Sequence, residues 1–403
     1  MMSSMKILMT TESYYPIIDG GALGQHRLVH ELIRRGHDVR VIAPGFKFKN
    51  YKENDDGSII YRSRGIRLPL YMGGKYYVAP SPYFYVKKVI NEFKPDIINV
   101  NSPYPNSLSA INIARKKDIP VVGSIHILPE NILPAFTNSI FYETMKKYIW
   151  RYLVYFYNQV DWITIPTKTG GDMYIEKGLK NNITPISTGI QTDVFNPNNN
   201  GEYLRKKFKL PKKKIVLYTG RINEEKNLEV LINAIPKTLE QVDAHFLICG
   251  SGGDYKQDLI NLTKKLEVDD HTTFTGFLDW KDYPNIYTIA DVFAIPAESE
   301  LLSLVTLEAI ATGLPVVVVN KGALPELASN NNGLVFEPGD SKQMADCIVK
   351  ILSDDKLRKK MSLNSLELIK KHTVESAGKE YEKVYEKVLN FYSKNKKIYL
   401  TNV

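Results

Sequence analysis

The sequence predicts an α/β fold of two doubly wound parallel-sheet domains that face a cleft. Three observations predict it. Short β-branched runs alternate with amphipathic stretches along 403 residues, the alternation runs in two successive series, and a polar break separates the series near Ser187–Pro197. Alternating strand and helix implies parallel strands covered on both faces. A chain of this length divides into about two domains. They are expected at residues 1–188 and 189–374, joined by a polar linker at Asn198–Glu202. A long Tyr- and Lys-rich helix, Glu375–Ser393, is expected to pack back onto the first domain.

In the first series, Lys6–Thr10 reads as a strand, followed by a helix over Ala22–Arg35 with Leu28, Val29, Leu32 and Ile33 on one face. Further strands are Asp38–Ala43, Ser58–Arg62, Asp96–Asn101, Pro120–His126 and Trp162–Pro166. The second series has strands at Lys214–Thr219, Ala244–Cys249, Thr272–Thr275, Val292–Pro296, Pro315–Val319 and Gly333–Phe336, and is nearly all helical from Ser341 onward. Ligands of such sheets bind at the carboxyl ends of the strands, so the loops there are where chemistry is sought.

Composition narrows the class. With 43% apolar and 24% charged residues the chain is an ordinary globular protein. No window approaches the length of a membrane-spanning helix. The apolar run Ile7-Leu8-Met9 is too short for a signal-peptide core. Two distant cysteines, Cys249 and Cys347, make neither a disulfide framework nor a zinc site, so a cytosolic protein is expected. Residues 1–190 hold 24 Lys+Arg against 15 Asp+Glu, whereas residues 191–403 balance at 29 each. The asymmetry suggests an anionic partner on the first half; solvated surface lysine explains it as well.

Several loops could carry chemistry, each with a plain alternative. Gly20-Gly21 opens a helix after the first strand, as at a phosphate site or in any tight turn. Neither a dinucleotide fingerprint nor a Walker loop is present. Arg221 and Lys226, after Lys214–Thr219, could clamp a diphosphate from two sides or be two surface cations. Gly250 and Gly252 permit close approach of a ligand, or simply turn the chain. Between Pro296 and Val317 lie Glu300, before a helix starting near Ser303, and Glu308 inside it. The helix start suits phosphate. Glu308, in an apolar segment, needs a partner, either a ribose diol or a structural lysine. His126 ends a strand on the carboxyl edge. There is no Gly-x-Ser-x-Gly elbow, no His-Glu-x-x-His and no clustered His/Cys metal set. Asp55-Asp56 and Asp269-Asp270 read as solvated turns.

Glu, seven residues, Glu, then Ala and Gly-Leu-Pro-Val-Val resembles glycosyltransferase family 4, retaining enzymes of the GT-B fold with two Rossmann-like domains. Gly220-Arg221 with Lys226, Gly20-Gly21, Arg35-Gly36-His37-Asp38-Val39, Ser187–Phe195, Pro325-Glu326-Leu327 and Gly333–Asp340 are similar to further family segments, in the same order. Leu301-Leu302-Ser303 stands where the family has Gly-Phe-Gly, which bears on donor choice, and Gln191 where Asp is usual. The resemblance implies a nucleotide-diphosphate sugar donor on the C-terminal domain, UDP-sugar favoured and GDP-mannose possible. Glu308 would hold the ribose, and Arg221 and Lys226 the diphosphate. Backbone N–H groups near Ser303, Leu304 and Val305, with the glycine turn at Gly250 and Gly252, would assist. Glu300 and His126 would contact the sugar, Gly20 and Gly21 the β-phosphate, and Phe277 and Leu278 the base. It implies a front-face reaction forming an α-glycosidic bond, with no metal and no cofactor.

The acceptor is expected on the basic half. Phe136–Trp162 mixes ten aromatic residues with Lys146, Lys147 and Arg151, and Arg62–Lys88 mixes Arg62, Arg64, Arg67, Lys75, Lys87 and Lys88 with tyrosines. Such composition suits anionic lipid headgroups; an ordinary core helix is the alternative for the first stretch. A lipid or lipid-linked saccharide acceptor follows, with the protein peripheral at the inner face of the cell membrane. The alternatives are a non-catalytic nucleotide-sugar-binding partner subunit and a GT-B phosphorylase or epimerase. No nucleic-acid reader motif is present.

Overall fold

The computed structural model describes residues 4–17, 19–68, 76–132 and 141–401. The chain is α/β with two mainly parallel sheets, and it divides into two compact units. The first comprises Met1–Gly189 and Val374–Val403, the second Ile190–Thr373.

The first unit runs β1 (Lys6–Thr10), α1 (Gly20–Arg34), β2 (Asp38–Pro44), β3 (Tyr51–Asp55), β4 (Ser58–Ser63), β5 (Ile66–Arg67), β6 (Tyr77–Val78), α2 (Tyr83–Phe93), β7 (Ile97–Val100), α3 (Pro105–Lys117), β8 (Val121–Ser124), α4 (Pro129–Ile132), α5 (Tyr142–Tyr157), β9 (Trp162–Ile165), α6 (Lys168–Glu176) and β10 (Ile183–Pro185). Its eight-stranded sheet has the order β10-β9-β8-β7-β1-β2-β4-β3. All pairings are parallel except β3 on β4. β3 is polar throughout, Tyr-Lys-Glu-Asn-Asp, so no apolar alternation marked it; an antiparallel edge strand can leave one face in water.

The second unit runs α7 (Glu202–Lys207), β11 (Lys214–Thr219), α8 (Leu228–Leu239), β12 (Ala244–Cys249), α9 (Asp254–Lys265), β13 (Thr272–Gly276), β14 (Val292–Ile295), α10 (Leu304–Ala311), β15 (Val316–Val319), α11 (Leu324–Leu327), β16 (Gly333–Phe336), α12 (Ser341–Ser353) and α13 (Asp355–Leu368). Its six strands are all parallel, in the order β13-β12-β11-β14-β15-β16. The four inner strands, β12, β11, β14 and β15, have buried central residues, as strands covered on both faces require, whereas the edge strands β13 and β16 are partly exposed.

The polar stretch Asn198–Glu202 is not a linker. Gly201 donates its N–H to Thr288 Oγ1 at 3.1 Å and Asn199 Nδ2 donates to Val194 O at 2.7 Å, so the segment is bound into the second unit. Its asparagines serve as local hydrogen-bond partners, which composition does not distinguish from a solvated linker.

The last helix, α14 (Val374–Thr401), belongs to the first unit. Tyr381, Val384, Tyr385 and Val388 lie in the same core as Ile7, Met9, Val39 and Val41 of β1 and β2. Beneath them Tyr385 OH accepts from Asn99 Nδ2 at 2.7 Å, and Tyr381 OH lies 3.1 Å from Thr164 Oγ1, closing a buried polar network. The Arg-Gly-His turn after α1 is the other attachment. Met5 N–H donates to His37 Nδ1 at 3.2 Å, so Nε2 carries the proton that His37 donates to Glu382 Oε1 at 2.9 Å. Arg35 pairs with Glu382 Oε2 at 2.5 Å. Burial opposes ionisation of Glu382, but the bonds from Arg35 and His37 outweigh it and hold its carboxyl below the ordinary 4.5. Glu382→Gln removes the charge these donors face and should lower stability by about 2–3 kcal/mol, read from urea unfolding. The wild-type contribution is present above pH 4.5 and is lost as pH falls through the lower folded value, so the variant's deficit should shrink in acid.

Candidate functional site

In the second unit the strand order reverses between β11 and β14. Helices after these two strands go to opposite faces, which leaves a crevice at their carboxyl ends. The loops there carry the Arg221–Lys226 segment and the Glu298–Ser303 segment. The structure joins them: Lys226 Nζ lies 2.8 Å from Glu300 Oε1 and 3.5 Å from Glu225 Oε1. Asn227, in the left-handed region at φ 50°, donates from Nδ2 to Glu298 Oε1 at 3.1 Å. Arg221 also pairs with Glu225 but keeps its side chain half exposed. Glu225, Asn227 and Glu298 were not singled out from the sequence, because their roles exist only once the two loops meet.

Glu300 is fixed from behind. Ala323 N–H donates to Glu300 O at 3.0 Å, and a Cβ on Gly322 (φ +58°) would stand 2.8 Å from the same oxygen. Of the departure Leu301-Leu302-Ser303, Leu301 is buried and Ser303 caps α10, its Oγ accepting from Thr306 N–H. The N–H groups of Leu304 and Val305, in the first turn, have no intrahelical acceptor, which is the usual basis of anion binding at a helix start.

Glu308 is buried on α10. Tyr283 and Tyr287 each donate a hydroxyl to Glu308 Oε2 at 2.6 Å. Burial first, and then the charge of Glu308, raise both phenols well above their ordinary value. Tyr287 OH also meets Thr219 Oγ1 at 2.8 Å, tying Glu308 to the end of β11. Phe195, fully buried, packs its ring edge-on to Trp280, Tyr283 and Tyr287. This explains the Phe at the end of the Ser187–Phe195 segment.

Gly250 and Gly252 have a packing reason. A Cβ on Gly250 would lie 1.8 Å from Gly220 O, and one on Gly252 would lie 2.5 Å from Ile222 O. The loops after β11 and β12 therefore pass backbone against backbone. Leu278 is buried in the core, while Phe277 is 76% exposed.

In the first unit Gly20 and Gly21 open α1 as read, but the helix start is already capped. Asp19 Oδ1 accepts from Ala22 N–H at 2.7 Å, and Tyr76 OH donates to Asp19 Oδ2 at 2.9 Å. His126 lies two residues beyond β8 rather than ending it, and burial pushes its imidazole down to about 4. Sequence reading passed over Glu12. This sheet reverses between β1 and β7, and Glu12 follows β1 there. It is buried, accepts from Asn106 N–H and Nδ2 at 3.3 Å each, and takes its own backbone N–H bond to Ser102 Oγ at 2.9 Å. Burial raises its carboxyl to about 8. Such a group at a switch point is a site candidate.

Two expectations are corrected. Arg62 is not part of a lipid-facing surface: it is 2% exposed, bound to Glu53 at 2.8 Å and stacked at 5.0 Å on Phe46. Asp55 is not a solvated turn: it is 17% exposed and its carboxylate stands 3.2 Å from His26 Nε2 and 3.3 Å from His30 Nε2. The carboxylate comes from β3 and the histidines from α1, so no local spacing brings the three together. Phe136 and Lys75 lie outside the described residues. On α5, Trp150, Leu153, Val154, Phe156 and Tyr157 are buried, whereas Lys147, Tyr148, Arg151, Tyr152 and Tyr155 line the exposed face.

Family models match both units: "Glycosyltransferase Family 4" over residues 18–194 and "Glycosyl transferases group 1" over residues 200–367. The chain is similar to sulfoquinovosyl transferase SQD2 of Arabidopsis thaliana, 31% identical over 73% of this chain. The chain spans 56% of that protein's length. It is 27% identical to alpha-monoglucosyldiacylglycerol synthase of Streptococcus pneumoniae, over 81% of this chain and 74% of that one. In structure it is similar to sucrose-phosphate synthase from Thermosynechococcus elongatus, with a TM-score of 0.76 and 19% identity over 95% of this chain and 99% of the other. That likeness shows the GT-B fold.

A carboxyl whose folded value lies above its ordinary 4.5 favours the fold in its protonated form. The contribution of Glu12 is full below pH 4.5 and is lost as pH rises through about 8. Glu12→Gln should flatten the fall in stability over that window, measured by urea unfolding at a series of pH values.

Proposed function

Because the chain belongs to glycosyltransferase family 4, we propose that it is a retaining hexosyltransferase using a nucleotide-diphosphate sugar and a lipid or lipid-linked saccharide acceptor. The observation that carries the reading is the meeting of Lys226 and Glu300 at the reversal point of the second sheet, with Glu308 held on α10, the helix that follows Glu300.

In this reading the diphosphate takes the place of carboxylates as the partner of Lys226 and Arg221, assisted by the free N–H groups at the start of α10. Fixed cations there stabilise charge on the leaving phosphate, which is where it develops in the transition state. Glu308, oriented by two tyrosines, holds the ribose hydroxyls, and Glu300 holds the hydroxyls of the sugar. The bond from the anomeric carbon to the phosphate oxygen breaks as the bond to the acceptor oxygen forms on the same face. The acceptor's proton passes to the leaving phosphate, and the α-configuration is kept. His126, neutral at physiological pH, contributes a hydrogen bond to the sugar rather than charge. Gly20 and Gly21 are read as offering backbone N–H groups to a phosphate.

A lipid acceptor is supported by the exposed Lys147-Tyr148-Arg151-Tyr152-Tyr155 face of α5, a mixture that suits anionic headgroups, and by the diacylglycerol product named for the streptococcal relative. Among the described residues no helix is long and apolar enough to cross a membrane.

Purified protein given UDP- and GDP-sugars in EDTA, with and without anionic vesicles carrying membrane lipid, should release nucleotide from one donor, faster with lipid. Lys226→Ala and Glu308→Ala should each lower that rate by about tenfold or more with unchanged far-UV circular dichroism. Wild-type rates in both remove the site assignment, and no release from any donor favours a non-catalytic subunit. A Lys147→Ala, Arg151→Ala, Tyr155→Ala variant should bind anionic vesicles about tenfold more weakly in a sedimentation assay. Unchanged binding removes this face as the lipid contact.

A further inference from the structure

His26 and His30 stand one turn apart on the same face of α1, and Asp55 ends β3 at the edge hairpin. His26 Nε2 lies 3.2 Å from Asp55 Oδ2, His30 Nε2 lies 3.3 Å from the same oxygen, and the two Nε2 atoms are 3.1 Å apart. We propose that these three atoms bind one divalent transition-metal ion, with zinc as the natural occupant, and that the ion clips α1 to the β3–β4 hairpin.

The triangle carries the argument. A tetrahedral ion with bonds of about 2.0–2.1 Å to nitrogen and oxygen separates its ligand atoms by roughly 3.3 Å. All three edges here have that length within a few tenths of an ångström. Without an ion the arrangement is awkward. Two imidazole nitrogens facing each other share at most one proton between them, and both also point at one carboxylate oxygen. A cation above the triangle satisfies three lone pairs at once. Two histidines four residues apart on a helix form the same half-site that zinc enzymes use. Two nitrogens and one carboxylate oxygen favour zinc, cobalt or nickel over magnesium or calcium, which prefer all-oxygen sets.

The surroundings fit. Tyr14 OH donates to Asp55 Oδ2 at 3.2 Å and so orients the carboxylate. The ring of Tyr15 stands 5.1 Å from that of His26 and covers one side. The three side chains are 17–26% exposed, so an ion can enter and a water can complete the shell. The proposed transfer reaction uses none of the three.

The test takes the full chain without an affinity tag, stripped of metal by chelator and dialysed. Cobalt(II) titration should saturate at one ion per chain with the visible bands of a four-coordinate site and no thiolate charge-transfer band. Zinc should displace it and raise the melting temperature. His30→Gln and Asp55→Asn should each weaken binding by about tenfold or more and abolish the melting shift, with His26→Gln as a third variant should one of them misfold. An unchanged cobalt spectrum in folded variants places the ion elsewhere and overturns the proposal. So does the lack of saturable binding in the wild type. None of these readouts involves donor or acceptor.

Discussion

A carboxylate set into an apolar helix must find hydrogen-bond donors, and in this protein much of the second unit follows from that need. Glu308 lies on α10 among Leu307, Ala309 and Ile310, all buried. Leaving its charge unpaired there would cost several kcal/mol. Tyr283 and Tyr287 supply the donors, Thr219 ties the second tyrosine to the end of β11, and Phe195 packs against both rings. The segment entering the unit, the turn before β14 and the helix after it are therefore locked to one group. An acid held so rigidly is suited to orienting a ligand, since little freedom is left to lose on binding.

The same logic appears in the first unit in a different form. Glu382 is buried where α14 crosses α1, and Arg35 and His37 reach it from the turn that follows α1. The Arg-Gly-His segment thus serves the attachment of a helix more than three hundred residues away in sequence. In both units the loops at the reversal of strand order bring polar and ionisable groups together: Lys226 and Glu300 in one, Glu12 with Asn106 in the other. A parallel sheet concentrates loop residues there whatever reaction it supports.

How much was legible varies with the range of the interaction. The apolar strands read correctly because a strand buried on both faces is a run of Val, Ile and Leu, as in Val316–Val319. β3 was missed because its five residues are polar. Glu300, Glu308, Arg221 and Lys226 stood out as charged groups at strand ends and a helix start. Their partners did not: Tyr283 and Tyr287 look like ordinary core tyrosines, and Asn227 and Glu298 like loop polars. Gly250 and Gly252 suggested a ligand, yet the atoms that demand glycine belong to Gly220 and Ile222.

By itself the sequence determined the α/β class, the two series of strands, the acidic pair, the cations and, through their order, the family. The class, the strands and the charged groups follow from local periodicity and from residue types at strand ends, which neighbours along the chain encode, and the family from the resemblance of the motifs. Only the tertiary structure decided that Lys226 meets Glu300, that Glu308 is held by tyrosines, that Arg62 is buried and that Asp55 faces two histidines. Each depends on which strands are neighbours and in what register. Pairing across a sheet is set by the burial of the whole domain rather than by any local stretch.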